Sequence, residues 1–146
     1  MSLIQYISTV HTSKDEAKHN KKLCNTLHNI YCKDATFEEI ADLLDSGSTI
    51  GRVGNTTDFV AIDIDNTTVN ISQVQEKFKD NKDIAVSYSS SNNPLKYHIL
   101  VNLHKTIKRE EYKEVLETEF KKIKDQVCNR CDLFILDKNA ANFYQC

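Results

Sequence analysis

An α+β fold is predicted for this chain by three features of its hydrophobic patterning. Between residues 58 and 66, Val60, Ile62 and Ile64 alternate with Ala61, Asp63 and Asp65, the period of a half-buried strand. Between about Thr106 and Val127, Tyr112, Val115, Leu116, Phe120, Ile123 and Val127 fall on one stripe, the period of an amphipathic helix. From residue 58 onward, segments of these two kinds follow in the order strand, helix, strand, strand, helix, strand, a split βαβ arrangement.

At 146 residues the chain suits a single domain, long enough to bury a core without a metal or disulfide staple. Hydrophobic residues make up 40% and charged residues 27%, values that argue against disorder. No apolar run approaches the length of a membrane span and no basic stretch precedes Met1-Ser2-Leu3-Ile4 in the manner of a signal peptide. An intracellular, cytoplasmic protein without a membrane partner is therefore expected. Five cysteines form an odd count, which points to free thiols in a reducing compartment. Cys128-x-x-Cys131 could supply half of a zinc site with Cys24 and Cys32, but the spacing of that second pair is not a usual metal knuckle, so zinc is not expected. The net charge of −2 carries no global basic signature, so any nucleic-acid surface must be local.

Taken in order, residues 1 to 57 read as a helical N-terminal part. Leu23, Leu27, Ile30 and Tyr31 carry a helical period, approached by Lys14, Lys18, Lys21 and Lys22; that cluster is a candidate phosphate-contacting patch, with a solvated helix face the simpler reading. Thr36-Phe37-Glu38-Glu39 forms a capping box that opens a second helix over Ile40, Leu43 and Leu44, closed at Gly47. Gly51-Arg52-Val53-Gly54-Asn55 reads as a loop into the acidic strand. Beyond it, Ser72-x-x-Gln75 can cap a helix carrying Ile71, Val74 and Phe78 and ending near Asp80-Asn81. Ile84 to Tyr88 is a short strand, Ser89 to Pro94 a polar loop, and Tyr97 to Val101 another strand. After the long helix, Leu133 to Leu136 is a buried strand that ends in a turn at Asp137-Lys138-Asn139.

This order belongs to ferredoxin-like and RRM-like folds, with a βαββαβ palm over about residues 58 to 137. In that topology the first strand lies between the third and fourth and runs antiparallel to both. Asp63 and Asp65 close the first strand, His98 opens the third and Asp132 opens the fourth, so four polar residues meet at one end of one sheet. Gathered carboxylates raise one another's pKa unless cations neutralise them, and divalent ions with oxygen ligands do this most readily.

The order of Asp63-x-Asp65, a Ser-rich loop ending in Lys96-Tyr97-His98, and Asp132 at the head of a later strand resembles the three motifs of the archaeo-eukaryotic primase superfamily, specifically its primase-polymerase (PrimPol-like) branch from phages, plasmids and mobile elements. The stretch from Thr36 through Leu43, Leu44 and Gly47 to the acidic strand, and that from Tyr97 to Leu103 before a long helix, are also similar. The likeness covers roughly residues 36 to 144. Each motif is short, and the specificity lies in order and spacing.

The resemblance implies a DNA primase and DNA polymerase that performs template-directed nucleotidyl transfer in DNA replication. Asp63, Asp65 and Asp132 would hold two Mg²⁺ or Mn²⁺ ions about 3.5–4 Å apart, with no organic cofactor. His98 would donate to the phosphates of the incoming nucleotide. Lys96 and the hydroxyls of Ser89, Ser90 or Ser91 would reach the same triphosphate, and Arg52 would approach from the loop before the first strand. The implied partners are a single-stranded DNA template, nucleoside triphosphates and a helicase domain or replicative helicase. Lys96 stands where the second motif usually has a small residue, and the arginine that many members carry near Asn142 is absent. With the chain stopping at Cys146, a fragment of a longer replication protein or a minimal core is expected.

Two alternatives stand beside this. Phe59 to Thr67 is similar to the first motif of haloacid-dehalogenase-like (HAD-like) phosphatases, with Asp63 as nucleophile, but only 81 residues follow Asp65 and no later acidic pair closes that set. A non-catalytic single-stranded nucleic-acid-binding module with the same fold would need aromatics on the central strands, where Asp63 and Asp65 stand instead.

Overall fold

The computed structural model describes residues 2–7, 30–46, 49–65, 69–88, 93–127, 135–136 and 143–144. The elements in chain order are β1 (Ser2–Ile7), β2 (Ile30–Ala35), α1 (Phe37–Asp45), β3 (Thr49–Val53), β4 (Thr56–Asp65), α2 (Ile71–Phe78), β5 (Ile84–Tyr88), β6 (Tyr97–Lys108), a 3₁₀ turn (Arg109–Glu111), α3 (Tyr112–Val127), β7 (Ile135–Leu136) and β8 (Phe143–Tyr144).

From β4 onward the fold is α+β and ferredoxin-like. The sheet order is β5-β6-β4-β7, and each neighbouring pair is antiparallel. The acidic strand therefore lies centrally, between the third and fourth strands of the βαββαβ unit. Its two faces serve two cores. Val60, Ile62 and Ile64 face α2 and α3, where they join Tyr97, Ile99, Val74, Phe78, Leu116 and Ile123. Each such aliphatic side chain, removed from water, contributes about 1.5–3 kcal/mol. On the opposite face, Phe59 and Leu100 pack with Ile4, Ala35 and Ile40 from the N-terminal part, and Ala61 and Ala85 border them.

The N-terminal part is not simply helical. Its strands β2, β1 and β3 form, in that order, a second sheet that β8 joins beside β3, and it has a single described helix, α1. Ile30 and Tyr31, read from the sequence as the end of a helix, open β2 and pair with Ile7 and Tyr6 of β1. Their apolar spacing fits a helix locally, but β1 offers a strand partner fully 23 residues away in sequence, which no local period reveals. Leu23, Leu27, the four lysines before them and Cys24 lie outside the described residues. Arg52 and Val53 belong to β3 instead of a loop, and the turn into β4 shrinks to Gly54 and Asn55. Gly54 has φ +84, a conformation that favours glycine.

Two boundaries also move, and β6 carries a bulge. The α2 cap is Asn70, whose side chain accepts from the Ser72 N–H while Gln73 reaches back to the Asn70 N–H; Ser72 is inside the helix. Thr106 to Lys108 extend β6 instead of opening the long helix, because Ile107 and Lys108 find pairing partners in Thr57 and Thr56 of β4. The bulge is Leu103 to Thr106 opposite Asp58, with His104 at φ 56. The α1 capping box forms as the sequence predicts: the Glu39 N–H donates to Thr36 Oγ1, and the Thr36 N–H to Glu39 Oε1. Of the last predicted strand, Ile135 and Leu136 are described and pair with β4. Leu133, Phe134, the turn at Asp137 to Asn139, Cys128 and Cys131 lie outside the described residues. No described helix is long and apolar enough to cross a membrane.

Candidate functional site

Strand pairing places Asp63 directly opposite His98, and His98 directly opposite Ser87. The three residues form a row across β4, β6 and β5 on the face that Phe59, Leu100 and Ala85 occupy further along. There the N-terminal part covers the sheet; at the row, Asp63 and His98 keep 29% and 32% of their side-chain surface in solvent. Asp63 Oδ1 lies 3.3 Å from His98 Nε2. At that distance the contact is an ion pair for a protonated ring, worth under about 1 kcal/mol at this exposure.

The neighbouring backbone is held by two ties. Tyr97, fully buried beside His98, donates its hydroxyl to the Val69 carbonyl at 2.9 Å, and the Ile71 N–H donates to the Pro94 carbonyl at 2.8 Å. The chain just past β4 and the chain just before β6 are thus fastened beneath the row. Burial pushes the Tyr97 phenol well above its ordinary range, so it stays a neutral donor.

Other predicted residues fall as follows. Asp65 ends β4 and its backbone pairs with Ile135 of β7. Asp132, three residues before Ile135 in sequence, and Ser89, Ser90 and Ser91 lie outside the described residues. Lys96 is half-buried ahead of β6, its N–H donating to the Asn93 carbonyl. Arg52 does not approach from a loop: it is buried in β3, its guanidinium 4.2 Å from the centre of the Tyr112 ring. The Tyr112 hydroxyl accepts from the Ala61 N–H at 3.1 Å. Burial raises the Tyr112 pKa, opposed by the Arg52 cation and by that N–H. Arg52 thus supports β4 two residues before Asp63.

Sequence reasoning missed Ser87. The signal was its place on the Ala85 side of β5, but the register that sets it against His98 is a tertiary fact. A groove of about 370 Å³ lies elsewhere, lined by Phe37, Ile40, Phe59, Asn102, His104 and Lys105 among others. It borders the bulge and lies off the Asp63 row. Among the described residues, no group of three or more His, Cys, Asp or Glu side chains gathers as metal ligands. Comparison with protein-family models, curated proteins and solved structures finds no match for this chain.

Proposed function

We propose that the chain is a primase-polymerase catalytic domain that transfers nucleotides from nucleoside triphosphates on a single-stranded DNA template, in replication of a phage, plasmid or mobile element. The observation that carries this reading is the pairing of Asp63 with His98 at the open end of a central, antiparallel strand. It sets a carboxylate and a phosphate-directed imidazole side by side. The β7 pairing adds support, since Asp132 precedes by three residues the partner of Asp65.

The donor set suits Mg²⁺ or Mn²⁺. Hard divalent cations take carboxylate oxygens, and Asp63 is open enough to exchange water for one. Asp63, Asp65 and Asp132 would hold the ions, which when bound supply charge neutralisation to the triphosphate and activation to the attacking 3′-hydroxyl. His98 donates from Nε2 to a phosphate oxygen, and the ties at Tyr97 and Ile71 keep its strand from shifting. The chemistry asks for positioning and charge stabilisation more than for a reactive side chain. A helicase domain or replicative helicase is the expected partner, and the cytoplasm of the host cell the expected compartment.

The phosphatase alternative is disfavoured by topology, because that motif sits in a parallel sheet and both neighbours of β4 are antiparallel. The test is incorporation of deoxynucleotides on primed and bare single-stranded DNA with Mn²⁺ or Mg²⁺. Wild type extends and Asp63→Ala loses at least about 100-fold, the scale of losing one electrostatic contact to the transition state. Incorporation unchanged in Asp63→Ala rejects the site. Template binding without incorporation in wild type rejects catalysis in favour of a binding module.

A further inference from the structure

The row that Asp63 and His98 form across the sheet ends in Ser87 of β5. Ser87 is 7% exposed, and its Oγ is buried with no hydrogen-bond partner among the described residues. A buried hydroxyl left in this state is destabilising, and β5 could carry alanine here as it does at Ala85. Ser87 is unsuited to a nucleophilic role, since an oxygen without exposed surface cannot meet a substrate. Its nearest polar neighbour by register is His98, and facing residues of an antiparallel pair have Cβ atoms about 4.5–5.5 Å apart.

His98 stands between two neighbours: Asp63 on β4, 3.3 Å from its Nε2, and Ser87 on β5, to which it is not hydrogen-bonded. Resting on the function proposed above, we propose that Ser87 is a positioning residue for His98 when a cation occupies Asp63. Asp63 Oδ1, 3.3 Å from His98 Nε2, would be the oxygen such a cation draws on, leaving the ring without that contact. The imidazole then turns, and the Ser87 hydroxyl donates to its Nδ1 lone pair. No proton changes hands. With Nδ1 accepting, the proton of the neutral ring sits on Nε2, where it is available to a phosphate oxygen. The cost of the unpartnered hydroxyl in the cation-free state is recovered when the ring arrives. His98 is thereby pre-aimed before a triphosphate enters.

The test is nitrogen-15 NMR of the histidine rings in mildly alkaline buffer, titrating Mg²⁺ alone into wild type, Ser87→Ala and Asp63→Asn. In wild type, Mg²⁺ shifts the His98 Nδ1 resonance in the direction of an acceptor gaining a hydrogen bond. In Ser87→Ala that shift is lost, while the melting temperature stays equal or rises, since the variant removes an unpartnered hydroxyl. An identical Mg²⁺ response in wild type and Ser87→Ala overturns the role of Ser87 and leaves the Asp63 site standing. A wild-type ring that ignores Mg²⁺, or responds equally in Asp63→Asn, overturns both. In the incorporation assay, Ser87→Ala raises KM for the triphosphate about five- to tenfold, the worth of one hydrogen bond, with kcat nearly unchanged.

Discussion

Tyr97→Phe isolates one oxygen atom that ties the candidate site together. The phenol is fully buried and donates at 2.9 Å to Val69, four residues past the end of β4. Phenylalanine fills the same space less that oxygen, so the loss is the hydrogen bond, about 1–1.5 kcal/mol. For a chain of this length each kcal/mol moves the midpoint by about 2–4 °C, which puts the expected fall at about 2–6 °C. Thermal unfolding by circular dichroism at neutral pH measures it, with Tyr88→Phe, at a site 48% exposed, as a control expected within about 0.5 kcal/mol of wild type. The pH dependence gives a second reading with a fixed sign. Burial raises the Tyr97 pKa in the folded state, so its contribution is complete below the unfolded value near 10. Above that, the unfolded chain ionises first and stability falls, by up to about 1.4 kcal/mol per pH unit for each such group. Tyr97→Phe removes one of these groups, so the gap between variant and wild type narrows from pH 10 to 11. A midpoint within 1 °C of wild type at neutral pH, or a gap that widens in alkali, would refute the reasoning.

Two further substitutions test the frame around β4. Gly54→Ala places a Cβ at φ +84 with nothing within 4 Å of it, so its cost is backbone strain alone, about 1–2 kcal/mol in urea unfolding; a neutral result would mean that the turn relaxes. Arg52→Lys keeps the charge but loses the flat face stacked on Tyr112, and should cost about 1–2 kcal/mol; equal stability would show the stacking to be idle.

The central strand was legible because its period is local: Val60, Ile62 and Ile64 announce a buried face in five residues. The α1 cap was legible for the same reason, since Thr36 and Glu39 satisfy each other's backbone within one turn. The N-terminal sheet was not. β2 pairs with β1 across a wide gap in sequence, and β8 joins β3 from the far end of the chain, so the pattern at Ile30 and Tyr31 could not distinguish a helix face from a strand. The same applies to the end of β6, where Thr106 to Lys108 look like a helix start until β4 pairs with Ile107 and Lys108.

By itself the sequence determined the order of elements from β4 onward, the strand on which the acids sit and the residue types that could meet, because periodicity, capping and strand alternation are short-range physics. Only the tertiary structure decided the register that sets Asp63, His98 and Ser87 in one row, the removal of Arg52 to the face of Tyr112, and the part of the sheet left open. Register turns on cooperative pairing and packing summed over whole strands, and a shift of one residue would send every one of these side chains to the opposite face.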